Sequence, residues 1–175
     1  MYRDWKISTF NGVLLASYFI PAWAIPALKI VVSPVHGLFY ERGNVGPAMF
    51  VSDILQFGTL ATVRFAWLLA LAKLTVVGFF AVFAAATLRA PSRKRGAGDE
   101  ALAIALLLGS MVSVASMVLT SQVGDVAALR LHATESLLLL SLGIVMLVET
   151  DKPARSLPAA EAGVPVADAP SAIAG

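Results

Sequence analysis

The chain has 175 residues, 58% of them hydrophobic and 14% charged, with a net charge of +2 and no cysteine. A soluble domain is nearer about 45–50% apolar and about 25% charged, so an ordinary water-soluble fold is disfavoured, and the mean hydropathy of +0.82 points the same way. The lack of cysteine excludes disulfides, thiolate nucleophiles, iron–sulfur clusters and thiolate-bound zinc, and the basic residues are too sparse for a nucleic-acid surface.

The first apolar segment, residues 7–32, exceeds the roughly 20 residues that a helix needs to cross a bilayer. Pro21 and Pro26 lie within it. Each removes a backbone donor and predicts a kink, which a bilayer tolerates because neighbouring helices can satisfy the freed carbonyls. The competing reading is a cleaved signal peptide, with Arg3 and Lys6 as its basic start and Ala22-Trp23-Ala24 as its cleavage site. The bulk of Trp23 beside the cut, and apolar sequence running on to Val32, favour the span.

Residues 33–47, SPVHGLFYERGNVGP, carry the glycine, proline and charge of a loop. Residues 48–58 then predict a short interfacial helix. Pro47 stands where a helix can begin, and Met49, Phe50, Ile54, Phe57 and Leu60 can share a broad apolar face, broken around Gly58. The second span covers residues 64–88 and is followed by the basic loop RAPSRKRGAGDE. The third span, residues 101–120, has no charged residue. A turn with Asp125 near a helix start leads into the fourth span, residues 131–148. Residues 150–175 are rich in Ala, Pro and acidic residues and read as a disordered tail. The fold class is therefore all-α: an integral membrane four-helix bundle over residues 1–149, with a short interfacial helix in its first outer loop.

Cytoplasmic loops concentrate Lys and Arg near span ends. Arg89, Arg93, Lys94 and Arg95 mark the second loop as cytoplasmic, and Arg3, Lys6, Lys152 and Arg155 then place both termini on the same side. Arg42, Arg64 and Arg130 fall on the other side and dilute the bias. A bacterial inner membrane suits so compact a chain.

Ionisable side chains inside spans are costly and are functional suspects by default. Lys73 lies about 13–14 Å along its span and Glu135 about 6 Å along its own, at about 1.5 Å per residue. Helical side chains lean toward the helix N-terminus, so Lys73 leans toward the depth of Glu135 and an ion pair or relay between them is expected. Lys29 competes for Glu135 from the end of the first span, or snorkels to the interface.

His132 and Glu135, three residues apart, share a helix face. Together with His36, Glu41 and Asp53 from the outer side they could bind a metal, or His36 and His132 could clamp a haem, although no recognised ligand spacing accompanies them. Tyr18, Trp23, Phe39, Tyr40, Phe50 and Trp67 fit an aromatic belt at the interface better than a quinone or pigment pocket. Ala105, Gly109 and Ser113 form a small-residue ridge that suits close helix packing, within the bundle or against another subunit or a second copy.

No hydrolase elbow, phosphate loop, dinucleotide fingerprint or zinc-protease motif is present. The expected function is a non-enzymatic accessory, assembly or structural membrane component, without a cofactor and with the lipid bilayer as its certain partner. The alternative is a small proton- or ion-coupled transporter or channel using Lys73 and Glu135. The third is a haem- or metal-binding redox protein using His36 and His132.

Overall fold

A computed structural model describes residues 7–89 and 98–150. Arg3, Lys6, Arg93, Lys94, Arg95, Lys152, Arg155 and the tail lie outside them. The elements are α1 (Ile7–Val32), α2 (Pro34–Tyr40), α3 (Arg42–Met49), a π-helical turn (Phe50–Ile54), α4 (Thr59–Leu88), α5 (Asp99–Val123) and α6 (Val126–Thr150). Four of them, α1, α4, α5 and α6, are long and apolar enough to cross a membrane. At about 1.5 Å per residue the shortest spans nearly 40 Å, more than a hydrocarbon core of about 30 Å. The protein is a multi-pass integral membrane protein.

The buried positions explain the bundle. In α1 they are Ser8, Thr9, Gly12, Ala16, Phe19, Trp23, Ala27 and Ile30; in α4 they run Thr62, Ala66, Ala70, Lys73, Val76, Phe80, Phe83 and Thr87. Steps of three and four residues keep one narrow stripe facing inward. The remaining faces stay apolar yet exposed, as at Leu14, Leu68, Leu71, Leu107, Met111, Leu137 and Ile144. Apolar residues inside and outside alike are what lipid, rather than water, requires.

Each span packs mainly on its neighbour in sequence: α1 on α4, α4 on α5, and α5 on α6, with a lesser contact of α6 on α1 closing the ring. One core cluster gathers Phe19, Phe80, Phe83, Leu102 and Leu139, and a second, toward α2 and α3, gathers Ala27, Ile30, Leu38, Ala48, Ala66 and Ala70. Phe19 stacks on Phe80 with ring centroids 5.8 Å apart. We call the end that carries α2 and α3 the loop side.

The helices outrun the segments expected from hydropathy: α4 starts at Thr59, α5 at Asp99 and α6 at Val126. Polar first turns account for this. Asp99 and Glu100 open α5, where carboxylates favour the positive end of the helix dipole. Asp125 caps α6, its Oδ1 accepting from the backbone N–H groups of Ala127 and Ala128 at 3.1 and 3.0 Å. Gly124, at φ +78°, ends α5 in the left-handed conformation that glycine adopts without a Cβ clash. The helix α1 runs unbroken through Pro21 and Pro26.

Residues 33–47 are not a loop. Two short helices, α2 and α3, occupy them, and the helical segment between the first two spans begins at Pro34 rather than at residue 48. It ends in the π-helical turn, and Gln56 takes a left-handed φ of 52° before α4. The glycines here are contact points rather than breaks. A Cβ on Gly37 would lie 2.7 Å from the Ile30 backbone nitrogen, and one on Gly46 would fall 2.8 Å from Thr120 Cβ. Glycine thus lets α2 fold back against α1 and α3 lie against α5, forming a cap over the loop side.

Candidate functional site

Beneath the cap the four spans enclose a polar cluster. Lys73, Glu135, His132, Asn44 and Ser113 are each no more than 4% exposed, and so is Trp23. Each comes from a helix whose inward stripe demands something at that position. Trp23 is one turn beyond Phe19 on α1; Lys73 lies between Ala70 and Val76 on α4; His132 and Glu135 lie between Ala128 and Leu139 on α6.

Glu135 is the centre. Its Oε1 accepts from the indole Nε1–H of Trp23 at 2.9 Å. Its Oε2 lies 2.9 Å from His132 Nδ1 and 3.4 Å from Ser113 Oγ. The other nitrogen of His132, Nε2, lies 2.8 Å from the carbonyl oxygen of Gly43 in α3. A carbonyl only accepts, so Nε2 carries a hydrogen and the tautomer is fixed. One proton then occupies the Nδ1–Oε2 bond, giving imidazolium and carboxylate or imidazole and carboxylic acid. Ser113 donates to the His132 carbonyl at 3.0 Å.

Lys73 Nζ donates to Asn44 Oδ1 of α3 and lies 6.0 Å from the centroid of the Trp23 ring, within cation–π range. The expected Lys73–Glu135 ion pair is therefore not made. Among the described residues no salt bridge joins them. Trp23 touches both, because its indole presents a π-face to the ammonium and an N–H to the carboxylate. Among the described residues, the amide nitrogen of Asn44 and the hydroxyl of Ser136 are buried without a hydrogen-bond partner.

Lys29 does not reach Glu135. It pairs with Glu41 on the loop side, with its side chain 59% exposed. The two histidines play separate parts. His36 is exposed and stacks on Tyr40 at a centroid distance of 4.2 Å, whereas His132 is buried with both ring nitrogens engaged. Among the described residues no group of three or more His, Asp or Glu converges as a metal-ligand set. His36 and His132 thus sit in different surroundings, one exposed on the cap and the other buried beneath it.

One further expectation changes, and the small-residue ridge follows its intramolecular alternative. Trp23 belongs to the core, not to an aromatic belt, while Tyr18, Tyr40 and Trp67 are exposed. The Ala105, Gly109 and Ser113 ridge is covered within the chain: a Cβ on Gly109 would meet Leu139 and Val76 at 3.2 and 3.4 Å. That face is unavailable to another subunit or a second copy.

Sequence reasoning missed Asn44, Gly43 and the role of Trp23. Asn44 sits in a segment whose glycines suggest a loop, and nothing in its spacing marks it as buried. Comparison with protein-family models, curated proteins and solved structures found no match.

Proposed function

We propose that this protein is a non-enzymatic accessory, assembly or structural membrane component whose polar cluster locks a helical cap onto a four-span bundle. The observation that carries this reading is where the cluster ends. Its contacts to the cap are Lys73 to the Asn44 amide and His132 to the Gly43 carbonyl. Neither an amide side chain nor a backbone carbonyl passes a proton onward readily, so the network terminates in the cap instead of conducting through it. Paired polar groups buried in a bilayer bundle commonly fix helix register. The charge pattern favours both termini being cytoplasmic, and so compact a chain with a basic loop and no cysteine suits a bacterial inner membrane.

Proton- or ion-coupled transport is the second reading, favoured by the single proton confined between His132 and Glu135. Proteoliposomes containing a pH-sensitive dye separate the two. The structural reading expects wild-type proton permeability equal to that of protein-free vesicles, and expects Lys73→Met and Glu135→Gln to lower the melting temperature without altering permeability. Proton flux in wild type that is lost in both variants overturns it in favour of transport.

A further inference from the structure

Outside the polar cluster, a groove of about 620 Å³ opens on the loop side between the end of α1 and the cap. Its α1 wall is aliphatic, formed by Ile25, Leu28 and Val32, each at least half exposed. Its cap wall carries the stacked pair His36 and Tyr40. At its rim Lys29 and Glu41 form an ion pair. The groove thus joins apolar wall to paired opposite charges at the end of a membrane span, where hydrocarbon gives way to headgroups.

We infer that this groove binds a phospholipid with a zwitterionic, primary-amine headgroup of the phosphatidylethanolamine type. The acyl chain lies along the aliphatic face of α1, which continues toward mid-membrane at Tyr18, exposed by 46%. The lipid phosphate takes hydrogen bonds from the Lys29 ammonium, and the lipid ammonium donates to the Glu41 carboxylate. One cation and one anion side by side match one phosphate and one ammonium. A glycerol headgroup can offer Glu41 a hydroxyl but no cation, so the lipid's net negative charge would stay uncompensated beside the carboxylate. A choline headgroup has no N–H for the carboxylate, and the two rings here stack on each other instead of forming the open cage of aromatic faces that quaternary ammonium groups favour.

The test uses the full-length protein in mild detergent, offered equal amounts of phosphatidylethanolamine, phosphatidylcholine and phosphatidylglycerol with identical acyl chains. Retained lipid is counted by native mass spectrometry. Wild type should retain phosphatidylethanolamine several-fold over both others. In Glu41→Gln the preference over phosphatidylglycerol should vanish, and in Lys29→Met retention of phosphatidylethanolamine should fall several-fold. Equal retention of the three lipids by wild type overturns the assignment, and that competition requires no variant. An unchanged preference in a folded Glu41→Gln protein overturns it as well. Neither result bears on the polar cluster beneath the cap.

Discussion

His132 spends both ring nitrogens on protein, one on Glu135 and one on the Gly43 carbonyl, and this fixes what substitutions around it should do. Trp23→Phe removes the indole N–H and leaves Glu135 Oε1 buried without its donor. Side-chain hydrogen bonds between membrane helices average about 0.6 kcal/mol and reach about 1.7 kcal/mol. Stranding a buried carboxylate oxygen belongs at the upper end, so a loss of about 1.5 kcal/mol is expected on unfolding in mixed micelles. Lys73→Met leaves the Asn44 carbonyl oxygen unpaired and should be destabilising by a similar amount. Adding Asn44→Leu to it should recover at least half of the loss, because replacing both partners of a buried polar pair by apolar groups is often neutral or stabilising. A double variant no better than the single would show that the Lys73–Asn44 contact does not hold the cap. Lys73, Glu135 and His132 are legible in the sequence because an ionisable group amid apolar residues needs a reason. Trp23 is not, since a tryptophan in a span reads equally well as belt or core until its N–H is seen to point at a carboxylate.

Among the elements, the cap is where sequence and structure part. Glycine and proline at 34, 37, 43, 46 and 47 carry the signature of a loop, yet Pro34 starts a helix, and Gly37 and Gly46 let backbones touch. Local composition cannot distinguish a glycine that frees the chain from one that admits a neighbour, because the difference lies in what packs against it. The four spans are legible for the opposite reason: length and apolarity are local, and a bilayer imposes both. Gly46→Ala should therefore cost about 1–3 kcal/mol, the usual range for overpacking, and should speed hydrogen exchange in α3 while sparing α4. Gly78 and Gly143 supply the control. An added Cβ at either meets nothing within 4 Å, so Gly78→Ala and Gly143→Ala should each raise stability by about 0.5–1 kcal/mol through helix propensity. Equal destabilisation at all three positions would refute the contact role given to Gly46.

For the molecule as a whole, four spans put the cap and the α5–α6 turn on one face of the membrane and the end of α4 and start of α5 on the other. Because the chain has no cysteine, single substitutions at exposed sites report this directly. Arg42→Cys and Gln122→Cys should react with an impermeant thiol reagent from one side, and Arg89→Cys only from the other. Labelling of all three from a single side would break the four-span arrangement. The order of packing has a further consequence. Each span meets its predecessor as it leaves the ribosome, and among the spans the lesser α1–α6 seam joins those made farthest apart in time, while the contacts of α3 with α5 and α6 wait for the last hairpin. The bundle can therefore be built pairwise, one hairpin docking on another, and a gene cut between the codons for residues 89 and 98 should still yield two co-expressed halves that find each other in the bilayer.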